Sequence, residues 1–427
     1  MGKLVNIPSA KFLRTAFTFA LSFGLGKGVA FCAAIALPRL VDAQTYGGIE
    51  LALTLGLMGA TVLGLGTSSV ALRTELVDKD PRAELMLFGL CLWLAGVAVV
   101  AAPVALMFHW PVEYALGIAL IALFGLQFSG SAYARMKGYI HLSGWLDNSS
   151  IMVVVALVGV LTLLGMATVG LLTWWVVAVA VALAALALRR VSGMPWPQFK
   201  EIVHPVVRLG APMMLFGLSQ ILLFGTARLA IAKELGLTDV ACFSLCARIA
   251  LVLVFASQIL SVGLFRSVYR MNLERIGWIF TRWVAVLSGL GFVVTLVSHF
   301  TGHLLVAWTE IPAAAFVRIF PLVTIQTTLW ILNSNLEMFV VRDLLSRQAT
   351  IACLSIVGIG AIVGLGLFRW IPATLPAVIW LYSIAMLAML LVQMRLLARK
   401  GVSFRSAYFV LPLVASPWLI ELLPAIS

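Results

Sequence analysis

Charged residues are scarce in this chain. Only 11% of its 427 residues are Asp, Glu, Lys or Arg, whereas 63% are hydrophobic. A soluble protein is about half apolar and about a quarter charged, so the composition excludes a soluble domain held by a single anchor. About 20 mainly apolar residues span a bilayer. The length therefore accommodates about a dozen spanning helices with short connections.

Residue patterns typical of catalysis or of metal binding are also missing. His299 and His303 lie four residues apart without a clear third ligand, and we find neither a nucleotide-binding loop nor a nucleophile motif. We therefore expect no enzymatic activity, metal or cofactor. Cysteine is rare and falls within apolar stretches, where it packs well as a free thiol, so no disulfide is expected. The five cysteines are Cys32, Cys91, Cys242, Cys246 and Cys353.

Apolar windows bounded by charges, Pro or Gly predict an all-α polytopic membrane protein with about twelve spans in two six-helix lobes. Polar residues on helices of both lobes favour a central cavity. The predicted domains are 1–190, a cytoplasmic linker at 191–208, a second lobe at 209–400 and an apolar segment at 401–427. Residues 408–426 suit either a thirteenth span or a re-entrant segment. The predicted helices are 15–37, 47–71, 85–107, 113–134, 145–166, 170–188, 209–232, 240–264, 283–305, 315–341, 350–368 and 376–397.

The distribution of Lys and Arg predicts the orientation. Most of these residues lie in the N-terminal segment and in alternate connections, and cytoplasmic loops collect positive charge. The N-terminus is therefore predicted to be cytoplasmic, with residues 15–37 as a first spanning helix and not a cleaved signal peptide. The same asymmetry explains the formal net charge of +13 without a nucleic-acid partner.

Apart from Arg318 and Arg395, which lie within three residues of a helix end, the basic residues inside predicted spans are Lys27, Arg228 and Arg248. A charge at mid-membrane is costly and usually faces an internal cavity that serves as a pathway. Arg228 is near a helix end and could instead extend to the interface. A basic cavity selects an anion, and guanidinium groups suit phosphate oxygens because they pair with two oxygens at once.

Polar residues at helical spacing predict further cavity positions. Glu50, Thr54, Thr61 and Ser68 form one stripe, and Gln326, Trp330, Asn333 and Glu337 form a second. We predict that Gln220 and Asn333 bind substrate with the basic residues, and that Glu50 and Glu337 carry a coupling ion. Hydrogen bonds between packed helices, or a structural ion pair, are the alternative. The predicted cavity-lining set is Thr54, Thr61, Ser68, Gln326 and Trp330.

Several segments resemble the lipid-linked oligosaccharide flippases, the polysaccharide-biosynthesis family of the multidrug/oligosaccharidyl-lipid/polysaccharide exporter superfamily. The similarity is carried by residues 46–53 (YGGIELAL), 64–73, 208–212 (RLGAP) and 228–248, and the chain departs from the family pattern at Ala227 and Phe243. The resemblance implies two six-helix lobes around a cavity that opens alternately to either side. It also implies an undecaprenyl-diphosphate-linked oligosaccharide as substrate, flipped outward across a bacterial inner membrane for envelope polysaccharide synthesis.

Two other functions remain open at this point. An organic-cation or multidrug exporter of the same superfamily would require its acidic residues and not Lys27. A non-transporting membrane scaffold of a polysaccharide assembly complex would tolerate cavity substitutions. A polymerase and other assembly proteins are expected partners of the flippase, beside the membrane lipid itself.

Overall fold

The computed structural model describes residues 10–76, 79–80, 82–192, 201, 204, 206–255, 257, 273–307, 309–342, 345–370 and 372–422. Throughout these ranges the regular structure is helical, without a strand. Nine of the described helices are long and apolar enough to cross a membrane. The prediction of an all-α polytopic membrane protein is confirmed.

The described residues of the N-terminal half, up to Val191, form eight helices. Two of these helices are short and each lies next to a longer helix across a break, and four of the eight are candidate spans. The helices are α1 (Ala10–Leu40), α2 (Ala43–Gly64), α3 (Thr67–Leu76), α4 (Arg82–Met107), α5 (Val112–Met136), α6 (Ile140–Leu146), α7 (Ser149–Leu163) and α8 (Val169–Val191).

The described part of the C-terminal half includes a π-helical turn at Val206–Gly210, which leads into the first of its α-helices. Residues 193–200, 202–203 and 205 of the predicted linker lie outside the described residues, so its limits at 191 and 208 stay a prediction. The helices are α9 (Ala211–Glu234), α10 (Leu237–Ala250), α11 (Leu273–Val306), α12 (Ala313–Arg342), α13 (Ser346–Trp370), α14 (Leu375–Ala398) and the short α15 (Arg405–Val410), which runs into a 3-10 helix at Leu411–Leu422.

Two predicted helices are each broken in the structure. The one expected at 47–71 ends at Gly64, because Leu65 and Gly66 have positive φ angles of 47° and 67°. Ser68 therefore lies on α3 and does not continue the polar stripe of α2. The one expected at 145–166 is interrupted at Asp147 and Asn148, between α6 and α7.

The segment after α14 packs along α11 and α12. Phe404 meets Phe280 of α11 edge to face, with ring centroids 5.6 Å apart. Residues 405–420 form an apolar helical stretch below the length of the nine candidate spans. Residues 423–427 lie outside the described residues, so the choice between a thirteenth span and a re-entrant segment stays open.

The two halves meet along α2, which packs against α9 and α10. At the α1–α2 end of the bundle, a Cβ added to Gly47 would lie 1.9 Å from the carbonyl oxygen of Leu237. At the α8–α9 end, a Cβ on Gly210 would lie 2.0 Å from the carbonyl oxygen of Leu65. Glycine is needed at both positions because the backbones approach each other directly. The motif glycines therefore join the two halves.

The first turn of α2 carries a further contact between the halves. Glu310, in the connection between α11 and α12, accepts a hydrogen bond of 3.1 Å from the main-chain N–H of Ala43. Asp42 caps the same helix by accepting from the main-chain N–H of Thr45, and this bond and that of the Thr45 hydroxyl lower the pKa of the Asp42 carboxyl. The stabilisation by this cap is thus present at neutral pH and is lost as the pH falls through the lowered pKa.

Candidate substrate cavity between the halves

A cavity of about 340 Å³ lies between the two halves of the molecule. Residues of α2, α5 and the α6–α7 break line one side, and residues of α9, α10 and α12 line the other. A larger depression of about 820 Å³ on the face of α4 is lined almost entirely by apolar side chains, as a lipid-facing surface requires. The polar residues of the central cavity are Glu50, Thr54, Gln127, Asp147, Asn148, Ser150, Arg228, Arg248, Trp330 and Ser334.

A buried ion-pair cluster occupies the part of the cavity nearer the α1–α2 end. Arg248 donates two hydrogen bonds to the carboxylate of Glu50, of 3.0 Å from Nε and 3.2 Å from Nη2. Arg228 Nη2 lies 3.9 Å from the same carboxylate. Glu50 is 1% exposed and Arg228 7%. Two guanidinium groups of the C-terminal half thus share one carboxylate of the N-terminal half.

The neighbours of Arg228 explain how a charge is held at this depth. Its Nε donates a hydrogen bond of 2.9 Å to the hydroxyl of Ser244, and its guanidinium lies 5.5 Å from the centroid of the Phe243 ring. A carboxylate, a hydroxyl and an aromatic face together replace the water that the guanidinium loses on burial. The side chain of Arg228 is therefore held inside the protein and does not extend to the membrane interface.

A second polar cluster surrounds the break between α6 and α7. Lys27 Nζ donates a hydrogen bond of 3.1 Å to Asn148 Oδ1. Asp147 accepts from Ser131 at 2.5 Å and from Arg135 at 2.6 Å. The two clusters together contain two carboxylates, those of Glu50 and Asp147. They also contain four cationic groups, which are Lys27, Arg135, Arg228 and Arg248.

The remaining predicted residues divide into cavity and packing positions. Thr54 and Trp330 line the cavity, and Thr54 also donates to the main-chain oxygen of Glu50. Thr61 donates to the main-chain oxygen of Leu57 and, like Ser68 on α3, is not among the described cavity-lining residues. The Thr61 hydroxyl thus bonds within its own helix.

Three polar residues of α12 lie outside the cavity lining formed by the described residues. Asn333 donates to the main-chain oxygens of Leu329 and Met386 and accepts from Gln393, so its amide joins α12 to α14. Gln326 is fully buried. Glu337 lies two turns beyond Trp330. Gln220 is on α9, but its side chain lies outside the described residues.

Five polar residues of the cavity lining were not predicted from the sequence. Gln127 lies on α5 and Ser334 on α12, whereas Asp147, Asn148 and Ser150 come together at a helix break. The residues at the break could have been predicted from the succession of Asp, Asn and two Ser inside an apolar window, because these residue types favour helix N-termini over helix interiors.

No family model matches this chain, and no curated protein matches it. Its structure is similar to an inward-facing conformation of a multidrug resistance MATE family transporter of the MOP superfamily, with a TM-score of 0.56 and 14% identity over 88% of this chain and 96% of that chain. A chain described as protein A gives a TM-score of 0.58 and 16% identity over 95% and 98%. At 14% and 16% identity, the similarity to these structures shows the fold alone. The chain is a multi-pass membrane protein with the fold of the solved MATE family transporter.

Proposed function

We propose that this protein is a transporter that flips a polyprenyl-diphosphate-linked oligosaccharide across a bacterial inner membrane by alternating access, without covalent chemistry. The observation that carries the proposal is the sharing of Glu50 by Arg228 and Arg248 inside the cavity between the halves. The cluster keeps a net positive charge in a place of low dielectric, where a diphosphate anion gains most from guanidinium donors.

The cavity supports a mechanism in which the charged head crosses inside the protein and the prenyl chain stays in lipid. The phosphate oxygens compete with Glu50 for Arg248, and the polar side chains of Gln127 and Asn148 offer hydrogen bonds to the saccharide. Because Glu50 and Arg248 belong to different halves, exchanging the carboxylate for the cargo phosphate breaks a contact that holds the halves together. Binding and opening are thereby linked.

The fold is compatible with an organic-cation exporter too, and the sign of the essential charge separates the two functions. An exporter of cations needs the Glu50 carboxylate and tolerates loss of the arginines. A scaffold tolerates both losses. The decisive experiment is flipping of a fluorescent polyprenyl-diphosphate saccharide by the purified protein in liposomes, with and without the cavity arginines.

The proposed orientation has the N-terminus in the cytoplasm and the α1–α2 end in the periplasm. We expect an impermeant maleimide added to intact cells to label Met166→Cys, between α7 and α8, and not Arg190→Cys, at the end of α8. The background must lack the five native cysteines, because Cys32 is exposed. Labelling of Arg190→Cys alone would reverse the proposed orientation.

Alternating access requires the halves to separate at Gly47. We expect Gly47→Ala to favour the state open at the α1–α2 end, because its Cβ would overlap the Leu237 carbonyl. In cells that carry Thr54→Cys as a cavity reporter, this change should increase labelling from the periplasm. The control is Gly89→Ala on α4, whose added Cβ would meet nothing within 4 Å. Equal labelling of the two variants would mean that this contact does not close the cavity.

A further inference from the structure

The N-terminus of α7 lies at the cavity wall, in the middle of a broken helix. Asn148, Ser150 and Ile151 line the cavity where α7 begins. The first turn of an α-helix has N–H groups without partners inside the helix, and its dipole favours an anion there. Broken helices in transporters commonly direct such half-helix ends at their cargo.

The side chains of this terminus leave the helix uncapped. Asn148 occupies the capping position but makes no side-chain cap. Its amide nitrogen donates to the main-chain oxygen of Gly144, and its amide oxygen accepts from Lys27. The hydrogen bond from Lys27 places a positive charge beside the open end of α7.

Ser150 gives a second, independent sign of a ligand. Its side chain is 2% exposed and lines the cavity, yet its hydroxyl has no hydrogen-bond partner in the described part of the chain. A buried hydroxyl without a partner is costly, and a ligand oxygen at the end of α7 would remove that cost. The carboxylate of Asp147, which lines the same cavity, is already paired with Arg135 and Ser131.

This location is distinct from the arginine cluster. Asn148 precedes the end of α7 at Leu163 by fifteen residues, whereas Arg228 precedes the end of α9 at Glu234 by six. At 1.5 Å per residue these separations are about 22 Å and about 9 Å. The N-terminus of α7 is therefore nearer the α8–α9 end, from which the proposed cargo enters.

We infer that the N-terminus of α7, with Ser150 and Lys27, binds a phosphate group and forms a first station for the cargo before it reaches Arg248. The inference rests on the proposed function for the identity of the cargo. The same chemistry could be supplied by a lipid diphosphate or by free pyrophosphate. The main-chain N–H groups of α7 and the Ser150 hydroxyl donate to the phosphate oxygens, and the Lys27 ammonium balances their charge.

The test places a carboxylate in the station. Ser150→Asp puts a negative charge in the first turn of α7, where the helix dipole favours it, so the thermal unfolding temperature should not fall. Affinity should fall about tenfold or more, because one charge-assisted contact is replaced by repulsion. The matched control is Thr168→Asp, which adds the same charge at the capping residue of α8, outside the cavity. It should leave binding unchanged.

Binding is measured on the full-length protein in nanodiscs by equilibrium dialysis, with radiolabelled pyrophosphate and with a polyprenyl-diphosphate disaccharide. Loss of both ligands in Ser150→Asp supports a station open to free phosphate compounds. If the parent binds the lipid and not pyrophosphate, and Ser150→Asp loses binding of the lipid, the station recognises the lipid headgroup. If Ser150→Asp lowers protein yield, Ser150→Ala replaces it, and weaker binding is again expected because one donor is removed.

Different measurements test the phosphate station and the proposed function. Unchanged affinity in the Ser150 variants, or a parent that binds neither the lipid nor pyrophosphate, overturns the station. Flipping by the parent in liposomes is measured independently, so a parent that flips the lipid while Ser150→Asp binds it normally leaves the proposed function intact.

Discussion

Arg248→Ala should abolish flipping of a polyprenyl-diphosphate saccharide and lower its affinity roughly ten- to a hundredfold. A hydrogen bond to a charged group contributes about 1.5 to 3 kcal/mol, and Arg248 offers a planar pair of donors that already fits one carboxylate. Arg248→Lys should recover only part of the activity, because an ammonium keeps the charge and loses the paired geometry. Flipping in liposomes and dialysis binding measure the two effects.

Loss of Arg248 also disturbs the fold, so a compensated variant is needed. Without Arg248, the buried Glu50 carboxylate retains Arg228 at 3.9 Å, and an incompletely paired buried charge is destabilising. The double variant Glu50→Gln, Arg248→Gln should recover protein level, since two amides can bond to each other, but not flipping. Flipping at the parental rate by this stable double variant would contradict the anion cavity.

Glu50→Gln should destabilise the protein strongly, and an added diphosphate should restore its stability. Removing one partner of a buried ion pair costs about 3 to 5 kcal/mol, because Arg228 and Arg248 would then face each other without their carboxylate. A ligand at 100 times its Kd stabilises the folded state by about 2.7 kcal/mol. Thermal unfolding in detergent, with and without pyrophosphate, measures both changes.

The control for Glu50→Gln is the same substitution at Glu84. Glu84 pairs with Lys137 close to the surface, where such pairs contribute about 0 to 1 kcal/mol. We expect Glu84→Gln to unfold at nearly the parental temperature and pyrophosphate to stabilise it no more than the parent. If pyrophosphate leaves the unfolding temperature of Glu50→Gln unchanged, the carboxylate does not occupy an anion site.

The proposed coupling role of the two acids remains a prediction with its own measurement. If Glu50 or Glu337 carries a proton, the pair Glu50→Gln and Glu337→Gln should change the pH dependence of flipping. The geometry already distinguishes the acids, because Glu50 is bound to arginines and Glu337 lies outside the described cavity lining. An unaltered pH dependence in the stable pair would leave the membrane potential or product consumption as the driving force.

The spanning helices could be predicted from sequence because the thickness of the hydrocarbon core sets the length of apolar sequence that a spanning helix needs. The N-terminal boundary expected at 315 for α12 is observed at Ala313, and the C-terminal boundary expected at 397 for α14 at Ala398. The two breaks were missed for opposite reasons. Leu65 interrupts a pattern that remains periodic on both sides, whereas Asp147 and Asn148 lie so close to the start of the window predicted at 145 that they do not divide it.

The partners of the buried charges could not be predicted from a single sequence. Glu50 and Arg248 are 198 residues apart, and hydrophobic periodicity shows that each faces the interior without showing what it meets. In the structure Arg228 and Arg248 line the cavity, and Lys27 bonds to Asn148 in the cavity wall. The sequence alone does not distinguish Trp330, which faces the cavity, from Asn333, which bonds to α14. Side chains three positions apart on a helix lie on nearly the same face.

The glycine contacts between the halves also suggest how distant relatives could be recognised. A side chain at position 47 or 210 is incompatible with the observed backbone separation, whereas many apolar residues can replace one another elsewhere on α2 or α9. Homologues that adopt this closed arrangement should therefore keep glycine at both positions even where overall identity falls to the 14% or 16% seen with the solved structures. A search profile weighted on these two positions and on the acid at 50 should recover relatives that an evenly weighted profile misses.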